Sequence, residues 1–224
     1  MQNLTIYHGS PNIVTPVFKE GKVYNDYGQG FYCTEHLELA KEWACTQDSD
    51  GYANQYILNL EGLKVLHLND PQYNILNWLA ILLENRRFSI AEGLSNQAKK
   101  YIVEKFLPEY KSYDIIKGYR ADDSYFSYTR DFVNNSLSLG GLRRAMMLGK
   151  LGEQVVLKSK RAFDSITKGE IFLADRSEYY AKYCERDRIA RENYKEIFAN
   201  ATSHDELYII DIIRGGITND DPRL

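Results

Sequence analysis

Strand-like alternation and helical spacing follow one another along this chain without the regular strand-helix-strand rhythm of a doubly wound sheet. Leu4 to His8 alternates and reads as a first strand, ended by Gly9-Ser10-Pro11. Asp26-Tyr27-Gly28-Gln29-Gly30 leads into a second short strand, Phe31 to Cys33. Leu39, Ala40 and Trp43 then share one side of a helix over Glu38 to Ala44. Tyr56 to Leu60, a Glu61-Gly62 turn and Lys64 to Leu68 read as a β-hairpin.

Further along, Asp70-Pro71 has the form of a cap followed by proline in the first helical position. Ile75, Leu76, Leu79, Ile81 and Leu82 carry that helix to about Asn85. A helix over Gln97 to Leu107, a strand over Tyr113 to Ile116 closed by Gly118, and a helix from Asp122 or Asp123 toward Phe132 come next. Leu142 to Leu148 is helical. Gln154 to Leu157 is β-branched and strand-like, and Glu170 to Leu173 adds another strand. Arg176 to Ala199 is the longest helix, with Tyr180, Tyr183, Ile189, Tyr194, Ile197 and Phe198 as an interrupted apolar stripe. This succession predicts an α+β fold. Glycine and proline are spread thinly, with no linker composition and no repeat, so one domain over residues 1–224 is expected.

Composition narrows the class. The longest apolar stretch, Trp78 to Leu83, is far short of the ~20 residues that cross a bilayer, and the start Met-Gln-Asn-Leu-Thr lacks a basic region before an apolar one. A soluble, cytoplasmic protein with no membrane partner is expected. Cys33, Cys45 and Cys184 are odd in number and lack Cys-x-x-Cys spacing, so they read as reduced thiols rather than a disulfide frame or zinc site. Asp122-Asp123 suits a helix cap better than a metal, and no metal ligand set is assigned. Net charge is -3, yet Lys117 to Arg161 holds nine basic residues against four acidic ones, +5 there and -8 elsewhere. That stretch suits an anionic partner.

Candidate chemistry concentrates in two places. Tyr7-His8-Gly9-Ser10 and Gly28-Gln29-Gly30-Phe31-Tyr32-Cys33-Thr34-Glu35 can line one cleft in which backbone comes close to a ligand and a ring covers it. The Gly28-x-Gly30 pair has Cys33 where a dinucleotide fingerprint needs its third glycine. No Gly-x-Ser-x-Gly, His-Glu-x-x-His or phosphate-loop lysine motif is present.

These segments resemble the ADP-ribosyltransferase superfamily, on its diphtheria-toxin and poly-ADP-ribose-polymerase side, whose signature is a His, a Tyr and a Glu on three strands. Tyr7-His8-Gly9-Ser10 resembles the first motif, Gly28 to Glu35 the second, and Gly152-Glu153-Gln154-Val155-Val156-Leu157 the third. A nearer likeness, over roughly residues 4 to 214, is to a prokaryotic branch of that clan catalogued as a domain of unknown function. It is carried by Asp26 to Tyr32, Ala40-x-x-Trp43-Ala44, Trp78-Leu79 with Asn85-Arg86, and Tyr113-Asp114-Ile115-Ile116-x-Gly118 followed by Ala121-Asp122-Asp123.

The resemblance implies a split antiparallel β core with flanking helices and an enzyme acting on NAD. By position, His8 would hydrogen-bond the ribose next to nicotinamide, and the Gly9 backbone would pair with the carboxamide. Ser10 and Gly30 belong to the same binding set, and Tyr32 and Trp43 would sandwich the ring. Glu153 would be the carboxylate that stabilises positive charge on the ribose as the nicotinamide bond breaks. Gln154 is its rival, because residues 153 and 154 face opposite sides of a strand and only one can enter the cleft. Ala40 stands where the polymerases place a hydroxyl that bonds the carboxamide.

The expected function is therefore mono-ADP-ribosyl transfer to a macromolecule by an intracellular toxin or defence effector, neutralised by a partner antitoxin. RNA or DNA is slightly favoured over a protein side chain as acceptor, because basic residues flank Glu153. The other readings are an NAD- or ADP-ribose-binding module without turnover, and an interaction protein built on the long helix from Arg176.

Overall fold

The computed structural model describes residues 3–87, 92–121, 123–148, 153–199 and 206–224, and the fold is α+β. The first sheet holds β1 (Asn3–Ser10), β3 (Gly51–Asn59) and β7 (Ile166–Ala174) in the order β1-β3-β7, antiparallel throughout. The second holds β2 (Phe31–Cys33), β4 (Val65–His67), β5 (Ile115–Tyr119) and β6 (Glu153–Leu157) in the order β2-β6-β5-β4. Its pairs are antiparallel except β4 with β5, which is parallel.

Ile6, Tyr56 and Leu58 of the first sheet meet Phe31, Ile115, Val155 and Leu157 of the second in a shared core. The two sheets are also joined by backbone, since Tyr7 N donates to Thr34 O at 2.8 Å and Thr34 N to Tyr7 O at 2.9 Å. That junction sets the end of β1 beside β2.

Helices complete the packing. α1 (Leu37–Ala44) lies on the first sheet, and α2 (Ile75–Asn85) is buried from Ile75 to Leu83. A helix apolar on all sides belongs inside. Around it sit α3 (Leu94–Phe106), α4 (Asp123–Val133) and α5 (Leu139–Met146), with α8 (Ile209–Arg214) closing that core. The short α6 (Lys160–Asp164) leads into β7, and α7 (Arg176–Ala199) packs on α1, α5 and α4. Along α7 only Tyr179 and Ala190 are buried, while Ile189 and Phe198 of the expected stripe remain exposed.

Two local expectations need correction. Lys64 to Leu68 does not return beside β3, because β1 and β7 already occupy both edges of that strand. Asp114 instead draws the segment into the second sheet: Lys64 N donates to Asp114 Oδ2 at 2.8 Å, and Asp114 N to Lys64 O at 2.9 Å. The helix expected from Asp70-Pro71 begins at Ile75. Asn74 Oδ1 accepts from Leu76 N at 2.9 Å and Asn77 Oδ1 from Asn74 N at 2.7 Å, whereas Asp70 closes a turn with Tyr73.

Asp122 lies outside the described residues, and α4 begins at Asp123. Cys33 and Cys45 are buried and Cys184 is exposed, all three as free thiols. Among the described residues no helix is long and apolar enough to cross a membrane.

Candidate functional site

A cleft of about 470 Å³ opens where the two sheets join. β1 contributes His8 and Gly9, β2 and the turn before it contribute Gly30, Phe31 and Tyr32, and α1 contributes Trp43. Gln154 enters from β6. Arg86, at the end of α2, and Arg120 and Ala121, after β5, also line it, while one wall is the connection from β1 to β2, with Val14, Val17, Glu20 and Asp26.

His8 Nδ1 donates to the Tyr32 carbonyl at 2.7 Å, and its ring lies against Phe31 with centroids 4.5 Å apart. A carbonyl only accepts, so the neutral ring carries its proton on Nδ1 and presents Nε2 as an acceptor. Burial favours that neutral form and lowers the imidazole pKa from its ordinary 6.5. The folded state thus resists a proton that the unfolded chain accepts. Stability linked to His8 is complete above pH 6.5 and is lost as pH falls through the lowered value. Urea unfolding at pH 7 and pH 5 should accordingly show a larger acid loss for the wild type than for His8→Gln. Equal losses would contradict the buried neutral ring.

Tyr32 uses its hydroxyl locally, donating to Gly28 O at 2.6 Å and accepting from Tyr27 N at 3.0 Å. Burial raises its pKa, so it remains a phenol. Gly28 takes the left-handed φ of 75° that lets the chain curl over this hydroxyl. Lys158 holds the same turn, donating to the carbonyls of Tyr27 and, at 2.6 Å, Gln29. Burial draws the Lys158 ammonium down to about 8.

The two neighbours on β6 part company. Gln154 is 4% exposed and lines the cleft, with Nε2 donating to Asp26 Oδ2 at 2.9 Å. Glu153 is not a lining residue, and its Oε1 accepts from Asn69. The period-two alternation of the strand sends Glu153 to the face of Val155 and Leu157. Of the two, it is the amide of Gln154 that lines the cleft. Ser10 also stands outside the lining, its Oγ accepting from Asn12 N at 3.2 Å. Trp43 lines the cleft, but the Arg120 guanidinium lies 3.9 Å from its ring and covers one face of the expected sandwich.

The basic stretch also changes character once folded. Lys117 pairs with Glu35, Arg144 with Glu206 at 3.1 Å, Lys160 with Asp164 at 2.6 Å, and Arg161 with Asp114 at 3.6 Å. Lys150 lies outside the described residues. Of the cations in this stretch, Arg120 lines the cleft.

Residues 4–167 match the model of a family described as a protein of unknown function, DUF3990. The chain belongs to the DUF3990 family. No curated protein and no solved structure matches it. The matched DUF3990 span contains every lining residue from His8 to Phe163 and stops short of α7 and α8. Within it, Asp26, Arg86 and Ala121 stood out in the sequence only as parts of motifs, with no role assigned to them. Each is a cleft residue, brought to Gln154 from a different part of the chain.

Proposed function

We propose that this DUF3990 chain is an NAD-dependent mono-ADP-ribosyltransferase that transfers ADP-ribose to a macromolecule, as an intracellular toxin or defence effector. The observation that carries the reading is the meeting of His8, Tyr32 and Gln154, from three separate strands, in one cleft. A volume of about 470 Å³ suits a nucleotide-sized ligand.

In this reading Arg120 faces the pyrophosphate, and the Tyr32 ring packs on the nicotinamide. The bond between ribose C1′ and the nicotinamide nitrogen breaks, and its electron pair leaves with nicotinamide. His8 Nε2 and the Gln154 amide, both neutral acceptors, stabilise the cationic ribose. The acceptor's nucleophile then bonds C1′ and releases its proton.

Incubation with labelled NAD and cell extract tests the reading through nicotinamide release and label transfer. Glu153→Ala should keep transfer within about threefold of wild type, since its carboxylate bonds Asn69 and Gln154 is the β6 residue that lines the cleft. A loss of about 10²-fold or more, the cost of a preorganised catalytic group, would return the catalytic role to Glu153. Nuclease and protease digestion of the product distinguish nucleic acid from protein as acceptor.

A second reading, binding of NAD without turnover, is favoured by one observation: Asp26 already accepts hydrogen bonds from Arg86, Ala121 and Gln154 and offers no open base. Intact NAD after long incubation, with binding measured by calorimetry, would establish it.

A further inference from the structure

The Asp26 carboxylate, 3% exposed, is the point at which four segments of the chain meet. Its Oδ1 accepts from Arg86 Nε at 2.8 Å and lies 2.8 Å from Arg86 Nη2. Its Oδ2 accepts from Ala121 N and from Gln154 Nε2, each at 2.9 Å. A carboxylate has no proton to give, so the Gln154 atom facing it is the amide nitrogen, and Oε1 lies on the opposite side. Among the described residues no protein donor reaches Oε1, and the one buried side-chain polar atom without a partner is Thr129 Oγ1. Gln154 Oε1 therefore opens on the cleft.

We propose that Asp26 is a positioning residue that fixes the orientation of the Gln154 carboxamide, so that the cleft meets an acceptor oxygen rather than an N–H donor. The ligand group that suits it is a hydroxyl donor or a sugar carbon that develops positive charge. That assignment of ligand rests on the transferase reading. The charge of Asp26 is neutralised by Arg86, whose guanidinium also lies 4.5 Å from the Phe126 ring, so the pair directs Gln154 without placing net charge in the site.

Asp26→Asn tests the proposal because it keeps the shape and turns one acceptor atom into a donor. With Asn Oδ1 kept on Arg86, its Nδ2 faces the Ala121 N–H, which loses its acceptor, and Gln154, which must flip and present N–H to the cleft. kcat for nicotinamide release should fall by about 10- to 100-fold with KM for NAD within about threefold, the cost of misdirecting one group rather than of losing binding. In a Gln154→Ala background the same change should cost less than about threefold, because residues acting as a unit are not additive. Effects that multiply, in a wild type that does cleave NAD, would overturn the positioning role and leave the transferase reading intact.

The wild-type protein provides a test independent of turnover and of how the variant folds. The Gln154 side-chain amide resonances, assigned by their disappearance in Gln154→Ala, should exchange slowly with water, as expected of a group bonded to a buried carboxylate. Exchange as fast as that of a surface glutamine would overturn the proposal even if NAD is never cleaved. Slow exchange without NAD cleavage would uphold Asp26 as the positioning residue and reject the transferase reading alone.

Discussion

Replacing Gln154 with alanine should lower NAD cleavage by about 10²- to 10³-fold, the usual loss when one preorganised group facing developing charge is removed. The argument is geometric. Of the neighbouring pair on β6, Gln154 lines the cleft and Glu153 bonds Asn69. The change also deprives the buried Asp26 of one donor, which costs about 1 to 3 kcal/mol of stability, so the melt must be measured beside the rate. Gln154→Glu makes the complementary prediction. A second carboxylate would take the place of a group 2.9 Å from Asp26 Oδ2, and like charges at that separation raise the pKa of the newcomer. A raised folded pKa means stability fully present below the ordinary carboxylate value near 4.3 and lost as pH climbs from there through the raised folded value. The glutamate variant should therefore be less stable at pH 7 than at pH 5, relative to wild type. This proximity accounts for an amide at 154: Asp26 leaves room for a donor there, and not for another anion. Activity retained in Gln154→Ala would remove β6 from the mechanism.

What could be read along the chain, and what could not, follows the range of the interactions. Patterns settled by neighbours in sequence were legible. β2 runs over Phe31–Cys33, α1 starts one residue before Glu38, and α7 spans Arg176–Ala199, as the spacing of apolar positions indicates. Choices settled by distant partners were not. Nothing local says that Lys64 and Asp114 exchange hydrogen bonds, and that exchange moves β4 out of a hairpin and into the other sheet.

The same division runs through the cleft. His8, Gly9, Gly30, Tyr32 and Trp43 come from motifs that mark themselves, and all line it. Asp26, Arg86 and Ala121 acquire their meaning only when the fold brings them, with Gln154, onto one carboxylate. A one-residue difference in strand phase decides between Glu153 and Gln154, and that phase is set by the pairing of Val156 with Tyr32 on one side and Ile116 on the other. Charge shows the effect in reverse. The basic excess between Lys117 and Arg161 looks like a surface for anions in the sequence, whereas in the fold Glu35, Asp114, Asp164 and Glu206 take up much of it.

Gly9→Ala should be among the most damaging single-methyl changes available to this chain. A Cβ on Gly9 would lie 2.1 Å from Ala40 O, 2.9 Å from Ala44 N and 2.9 Å from Trp43 Cβ. The first two are backbone atoms of α1, so no side-chain rotation relieves the contact, and the helix itself must move. Its freedom to do so is small. Ala40 and Ala44 are fully buried, and Glu42, 4% exposed, accepts from Arg186 Nε at 2.9 Å and Nη2 at 2.6 Å, which ties α1 to α7. Where a glycine has ordinary φ and open space, alanine stabilises by about 0.4 to 1 kcal/mol through the unfolded chain. Here overpacking of about 1 to 3 kcal/mol opposes that gain, and a contact against rigid backbone belongs at the upper end of the range or beyond it. Against a total stability of about 5 to 15 kcal/mol, this is a large fraction. The cleft should suffer together with the fold, since Trp43 rides on the displaced helix and Gly9 itself lines the site. Urea unfolding with NAD cleavage in the same preparations measures both effects. A Gly9→Ala protein as stable as wild type would mean that α1 does not sit on β1 as these distances require, and the wall of the cleft built from His8, Gly9 and Trp43 would lose its basis.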